Sequence, residues 1–421
     1  MEQQSSTNSD DNASSLRHAL VEYLKSEGHI HTPRVEAAFR AVPRHLFVPG
    51  VALEDVYRDE AIATKRLDGR AVSSSSQPTI MAIMLEQLGL EPGHRVLEIG
   101  AGTGYNAALM AHIVGEAGQV VTIDIDEDIV ENAREHLAAA GFGRVEVVGR
   151  DGGFGYPSAA PYDRIILTVG SGEIAPAWRE QLKPDGRLVL PLSINGSQKT
   201  VAFEQADGHL VSLSVVDCGF MMLRGAFAEP ETSVQLGPEP GLYLSVDDPS
   251  RVDAGAIYAL LTGPARDQPT VVRATPREVW RGLQLWLVLR EPGLCGLSAE
   301  GEMAERGIVP CLLEISGGWK WCFTAGLLGE ASLSVLMRPP DDSPAMDNPD
   351  DSPLELFVRS FGPDNTSAQR LIEHVTAWDA AGRPSSEGLR IRAYPRDTDY
   401  APSPNEAVIL KRWMLLVLDW Q

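Results

Sequence analysis

Val96-Leu97-Glu98-Ile99-Gly100-Ala101-Gly102-Thr103-Gly104-Tyr105 is a short, mostly apolar run that ends in glycines at alternate positions and passes into a helical pattern. A run of this kind suits a strand covered on both faces. The glycines after it let a ligand approach the backbone at the strand's carboxyl end, where the next helix begins. Glycine turns also occur simply for tight packing of strand on helix, so the string takes its meaning from its neighbours. Residues 120–125, 145–148, 164–169 and 187–192 are further strand-like runs, and they alternate with helical patterns at 105–114, 127–140 and 175–182. Strand alternating with helix over this length predicts parallel crossovers, hence an α/β fold built on a doubly wound sheet.

The strand at 120–125 contains Asp124, about twenty residues past the glycines, where an acid can grip both hydroxyls of a ribose. Arg150-Asp151-Gly152-Gly153-Phe154-Gly155 follows the next strand and suits the adenine side of such a pocket. Two acids together with Glu98 disfavour a pyrophosphate and favour a cationic nucleoside, which fits S-adenosylmethionine better than NAD.

Composition narrows the class. At 421 residues, with 43% hydrophobic and 22% charged side chains, the chain buries a sizeable core and is long enough for two domains. Acids number 58 against 36 bases, a formal charge of −22, the wrong sign for a surface that binds nucleic acid. The cysteines, Cys218, Cys295, Cys311 and Cys322, lack metal-type spacing and read as reduced core residues, so no metal is expected. No apolar run reaches the ~20 residues that span a bilayer, and the start of the chain is polar and acidic, so a cytoplasmic protein without a membrane partner is expected.

Residues 1–14 read as a disordered start, and helical patterns follow at 16–25 and 33–41. Stretches 200–203, 210–216 and 220–223 are strand-like, and Asp207-Gly208 marks a hairpin between the first two. Seven of the eight tryptophans, among them Trp280, Trp286, Trp319, Trp321 and Trp378, lie after Gly225. This places a boundary near 227, dividing the chain into 15–226 and an α+β domain at 227–421. In the latter, Thr275-Pro276-Arg277-Glu278 is a capping box opening a helix to about 290. A second helix is expected at 367–381, with strands at 354–361, 389–394 and 408–420 and a mobile acidic loop at 339–353. The tryptophans read mainly as core, with one or two free to anchor a peptide.

Several further motifs occur in order: Val42-Pro43-Arg44-His45-Leu46-Phe47-Val48-Pro49, Tyr57-Arg58-Asp59, Ser76-Gln77-Pro78, Leu97-Glu98-Ile99-Gly100, Ala160-Pro161-Tyr162-Asp163-Arg164-Ile165-Ile166 and Gln181-Leu182-Lys183-Pro184. Together they resemble the protein-L-isoaspartate O-methyltransferase family, within the class I S-adenosylmethionine-dependent, Rossmann-like methyltransferases, over residues 16–226. The resemblance implies that Glu98, Gly100, Gly102, Asp124, Asp151 and Gly152 hold the cofactor. It also implies that Ser76, with Ser74 and Asp59, forms the catalytic set around the acceptor. The family's loop departs here to Ala71-Val72-Ser73-Ser74-Ser75-Ser76-Gln77-Pro78.

A carboxylate with an ordinary pKa near ~4 is already ionised at neutral pH, so its methylation is a task of positioning and needs no general base. A repair enzyme needs only the catalytic domain, so the long extension implies a selective task. In this it resembles the methyltransferases that tailor cyclised ribosomal peptides. The expected function is therefore methylation of an aspartate in a cyclised precursor peptide, leading to aspartimide or isoaspartate. The alternative is repair of damaged aspartyl residues in proteins, and a third reading is a non-catalytic adaptor.

Overall fold

The computed structural model describes residues 2–67, 70–230, 232–246, 248–315, 320–339 and 352–420. The chain divides into two compact units. Met1–Ser193, Gln198–Glu229 and Arg390–Asp419 form the first; Ile194–Ser197, Pro230–Leu389 and Trp420–Gln421 form the second.

The first unit begins with α1 (Glu2–Ser26), α2 (Pro33–Ala41) and α3 (Leu53–Val56). Where the sequence leads to an expectation of disorder at 1–14, α1 runs from Glu2. Its later residues are anchored, with Ala13 buried and the Asn12 amide reaching the Glu54 carboxylate at 3.5 Å. A hairpin of β1 (Ile62–Leu67) and β2 (Arg70–Ser75) follows, then α4 (Pro78–Leu88), which has Pro at its first turn and stops at Gly89 with φ +59°.

The alternating core comprises β3 (Arg95–Ile99), α5 (Tyr105–Val114), β4 (Gln119–Asp124), α6 (Glu127–Ala139), β5 (Glu146–Gly149), β6 (Tyr162–Leu167), α7 (Pro176–Glu180) and β7 (Leu182–Ile194). Helix α5 is apolar all round and buries nine residues, which suits a helix between the sheet and α2; there the Tyr105 ring meets Phe39 edge-on at 6.4 Å. Strands β8 (Ser197–Ala206) and β9 (His209–Asp217) form the expected hairpin, turned by Asp207 at φ 44° and Gly208 at φ +83°. Residues 220–223, expected as a strand, make only an isolated bridge from Met222 to Gly170.

The second unit is a mainly antiparallel sheet of β10 (Ser233–Gln235), β11 (Leu242–Ser245), β12 (Ala265–Ala274), β13 (Leu294–Glu300), β14 (Leu313–Ile315), β15 (Trp321–Leu328), β16 (Leu333–Met337) and β17 (Leu354–Phe361). Its order is β10-β11-β13-β15-β16-β17-β12, with β14 paired to β15. The capping box forms as expected, and the helical run from Pro276 to Arg290 passes through a π turn at Val279–Leu283. At that turn Gly282 lies against the Trp378 ring and the Pro384 carbonyl, where a Cβ would come within 2.8 Å of the carbonyl. Trp378 and Trp286 are core residues, whereas Trp280 is 40% exposed and Trp319 lies outside the described residues. Most of the expected acidic loop, residues 340–351, also lies outside them. Cys311 and Cys322, expected as reduced thiols, lie with their sulfurs side by side within bonding reach. The pairing of β14 with β15 sets Glu314 opposite Cys322 and so brings Cys311 back beside it.

The chain then returns to the first unit. Strands β18 (Leu389–Pro395), β19 (Ala407–Leu410) and β20 (Met414–Trp420) complete a ten-stranded sheet in the order β19-β20-β18-β9-β8-β7-β6-β3-β4-β5. The strands from β7 to β5 are parallel, as the sequence predicts. The expected second domain at 227–421 is therefore shortened to Pro230–Leu389. Residues 390–419 side with the first unit because β18 pairs with the edge of β9, and the Ile391 amide donates to the Ser212 hydroxyl at 2.8 Å. The expected single strand at 408–420 is broken at Lys411-Arg412-Trp413. Among the described residues no helix is long and apolar enough to cross a membrane.

Candidate active site

Three adjacent parallel strands, β3, β4 and β5, end at one mouth. After β3, the amides of Gly100 and Ala101 donate to the Ile123 carbonyl at 2.8 and 2.9 Å. Gly100 has φ +104°, and a Cβ there would lie 2.6 Å from the Thr168 hydroxyl. Gly102, at φ +52°, faces the Ser74 carbonyl at 3.3 Å from such a Cβ. Its amide donates to the Asp124 carboxylate at 3.1 Å, and the other Asp124 oxygen accepts from the Asp126 amide at 3.3 Å. Burial pushes the Asp124 carboxyl above its ordinary range, which the backbone donors oppose. Beyond β5, Asp151 accepts from the Gly153 amide at 2.9 Å and the Ala226 amide at 2.7 Å, while a Cβ on Gly152 would run into Ile99. Bare backbone at Gly100 and Gly102, flanked by carboxylates from two further strand ends, fits an adenosine with a cationic sulfonium arm.

Glu98 does not reach this mouth. It has no exposed surface, and its oxygens accept from the Asn106 amide at 2.8 Å and the Thr122 hydroxyl at 2.6 Å. Burial pushes its carboxyl up to about 7, against the pull of those two donors. The structure places Glu98 behind the glycine loop, joining β3 to α5 and β4, rather than in the pocket the sequence predicted for it.

The serine run passes beside the glycine loop, with the Ser74 carbonyl against Gly102. Along it side chains alternate: Ser73 and Ser75 are buried, and Ser74 and Ser76 are half-buried on the opposite face. Asp59 is fully engaged, accepting from the Gln77 amide side chain at 2.9 Å and from the Thr79 amide and hydroxyl at 2.8 Å each. It therefore fastens the loop to the start of α4. Asp126, two residues past Asp124 and missed by sequence reasoning, accepts from Arg224 at 2.8 Å and from Lys65 of β1 at 2.9 Å. The Arg224 guanidinium and Lys65 hold its carboxyl below the usual range.

Another cluster in this unit draws on residues far apart along the chain. Glu173, in the segment after β6, accepts from the amides of Arg412 at 2.7 Å and Trp413 at 3.4 Å. The Trp413 ring meets Phe227 at 4.9 Å, and Phe227 in turn meets Phe154 edge-on at 5.0 Å. Nothing in local sequence marks Trp413 for this position, since its partners are more than 180 residues away.

A glycine loop after the first parallel strand and acids closing the next two, on a doubly wound sheet, define a class I S-adenosylmethionine-dependent methyltransferase. The protein-L-isoaspartate(D-aspartate) O-methyltransferase profile matches residues 15–226, and the chain belongs to that family as a protein carboxyl O-methyltransferase. Among curated relatives, protein-L-isoaspartate O-methyltransferase of Methanopyrus kandleri is 40% identical over 220 residues, which is 51% of this chain and 95% of that one. The protein of the same name from Pyrococcus horikoshii is 45% identical over 172 residues, 41% of this chain and 75% of the relative. A solved protein-L-isoaspartate O-methyltransferase structure covers 89% of this chain and 96% of its own, at 25% identity and a TM-score of 0.49.

Proposed function

We propose that the chain methylates the free carboxylate of L-isoaspartyl and D-aspartyl residues in polypeptides, the reaction for which its family is named. The observation that carries this reading is the alternation along the serine run. It leaves Ser74 and Ser76 on the face away from the core, while the Ser74 carbonyl lies against Gly102. Acceptor and methyl donor would thus share one mouth.

S-adenosylmethionine supplies an electrophilic methyl on a sulfonium. In the reading proposed here Asp124 holds the ribose, Asp151 and Gly152 border the adenine, and Gly100 and Gly102 give the close backbone approach. The Ser76 hydroxyl, helped by Ser74, donates to one acceptor oxygen and aims the other at the methyl. The carboxylate oxygen gains the methyl as the carbon–sulfur bond breaks, so opposite charges become two neutral products. Exclusion of water favours that collapse. Asp59 acts by holding Gln77 and Thr79, and Glu98 by supporting the glycine loop.

The test is single-turnover methyl transfer to an isoaspartyl peptide. Ser76→Ala is expected to slow it at least tenfold, roughly the effect of one lost positioning hydrogen bond in a closed site, with cofactor affinity unchanged. An unaltered rate would remove Ser76 from the acceptor site.

One observation favours a second reading, methylation of a genuine aspartate in a cyclised ribosomal peptide, with loss of methanol giving aspartimide. The Lys411-Arg412-Trp413 turn lies outside the family match, as does the whole second unit, which would select such a substrate. A preference for a cyclised precursor over a linear isoaspartyl peptide, seen as a methyl ester or its methanol-loss product by mass spectrometry, would support it. Equal or better turnover of the isoaspartyl peptide would exclude it.

A further inference from the structure

Arg44 has no exposed surface, yet none of its hydrogen bonds goes to a carboxylate among the described residues. It sits at the start of a single helical turn, Arg44–Phe47, and donates only to two lengths of chain. From one, it takes the carbonyls of Val56 at 2.7 Å, Arg58 at 3.2 Å and Glu60 at 3.1 Å. From the other it takes the carbonyl of Ser76 at 3.0 Å, with the Ser75 carbonyl and hydroxyl at 3.5 Å. Its Nε has no partner.

A buried guanidinium is a costly way to hold a fold together. Taking a charge out of water costs several kcal/mol, and an apolar side chain of similar volume often serves stability as well or better. What a planar fork offers instead is direction, since its donors are fixed relative to one another and can hold several acceptors in one geometry. The acceptors held here belong to the segment carrying Asp59 and to the serine run. Asp59 closes the same junction from the other side, taking the Gln77 and Thr79 donors. A cation gathers the carbonyls of both segments, and an anion carried by the first takes the Gln77 and Thr79 donors just past the second. None of these bonds uses the Ser76 hydroxyl, which stays available on the open face.

We infer that Arg44 is the positioning residue of the acceptor loop: by joining the 56–60 and 75–76 backbones it fixes where the Ser76 hydroxyl stands. This rests on the reading of Ser76 as the group that orients the acceptor. A displacement of about 1 Å at a reacting centre costs roughly a hundredfold in rate, so small losses of register at the loop are visible kinetically.

The test uses the full chain with Arg44→Lys, which keeps the charge and loses the fork, alone and combined with Ser76→Ala. Arg44→Lys is expected to lower single-turnover methyl transfer roughly 10- to 100-fold, with calorimetric cofactor affinity within about twofold of the parent, well inside one decade of binding. In the Ser76→Ala background the same change should cost little, because both act through one hydroxyl. Should Arg44→Lys not fold, Arg44→Gln, whose neutral amide still donates to carbonyls without burying a charge, is expected to show the same pattern. A normal rate, a loss of cofactor affinity equal to the loss of rate, or losses that multiply in the double variant would overturn the role of Arg44. A silent Ser76→Ala would instead overturn the acceptor reading on which it rests.

Discussion

Glu98 shows how one residue can look like a ligand in sequence and act as a support in structure. Its carboxyl is pushed up to about 7 by burial, from an ordinary 4.5. A raised carboxyl favours the folded state while protonated, so its contribution is complete below about pH 4.5 and is lost as pH rises through about 7. The separation corresponds to about 3 kcal/mol. Glu98→Gln can keep both hydrogen bonds without titrating, so the variant should gain on the parent in thermal stability between pH 4.5 and 7.5. A constant difference in Tm across that range would show that Glu98 does not titrate there. Asp124 is the contrasting case, with its carboxylate at the mouth. Asp124→Ala should weaken cofactor binding roughly 10- to 100-fold by calorimetry, as expected for lost charged hydrogen bonds; unchanged affinity would take it out of the pocket. Asp124 and Asp151 stand at the strand ends where sequence order puts them, one closing β4 and the other two residues past β5. Sequence order cannot tell that Glu98, one position before Ile99 in β3, points into the core, since both faces of that strand are covered.

At the scale of elements, the strands and helices around the glycine loop are legible because their signals are local: buried apolar runs, Pro at first turns, Gly past the ends. The expected helix at 105–114 agrees with α5 at both ends. The strand expected at 408–420 is instead the hairpin of β19 and β20, whose turn is closed by the Lys411 amide donating to the Met414 carbonyl. Glu173, 239 residues before Arg412, accepts from the two amides at its tip, a partner that no local signal announces. The turn carries Trp413 to Phe227. In the reading that this aromatic cluster guides the acceptor chain, Glu173→Ala should raise KM for a peptide roughly three- to tenfold, the size of one lost hydrogen bond to a charged group. Cofactor affinity should stay as it was. A change confined to cofactor affinity would assign the turn to the adenosine side instead.

At the scale of the molecule, the last strands are structural partners of the catalytic sheet. Arg392 on β18 bonds Glu406, just before β19, and, at 2.9 Å, Asp419 on β20, so β18, β20 and the lead into β19 share one polar junction. The Ser403 amide and the Arg392 guanidinium hold the Glu406 carboxyl down to about 2, so this junction stays charged across the ordinary pH range. A chain ending at Leu389 would leave the edge of β9 unpaired, and unpaired edges recruit other chains. It is expected to unfold at lower temperature and to elute as larger species in size-exclusion chromatography, even though every residue of the family match is present. A monomer of unchanged Tm would mean that the added strands contribute nothing to the sheet.

The return of residues 390–419 to the first unit also sets an order of events during synthesis. The ribosome finishes β9 early and then makes all of residues 230–389 before the strands that cover its edge exist. At about 5–20 residues per second this interval lasts on the order of ten to thirty seconds. The unit whose residues are made first is therefore closed last, and for that interval the nascent chain presents an open strand to whatever else the cell is folding nearby.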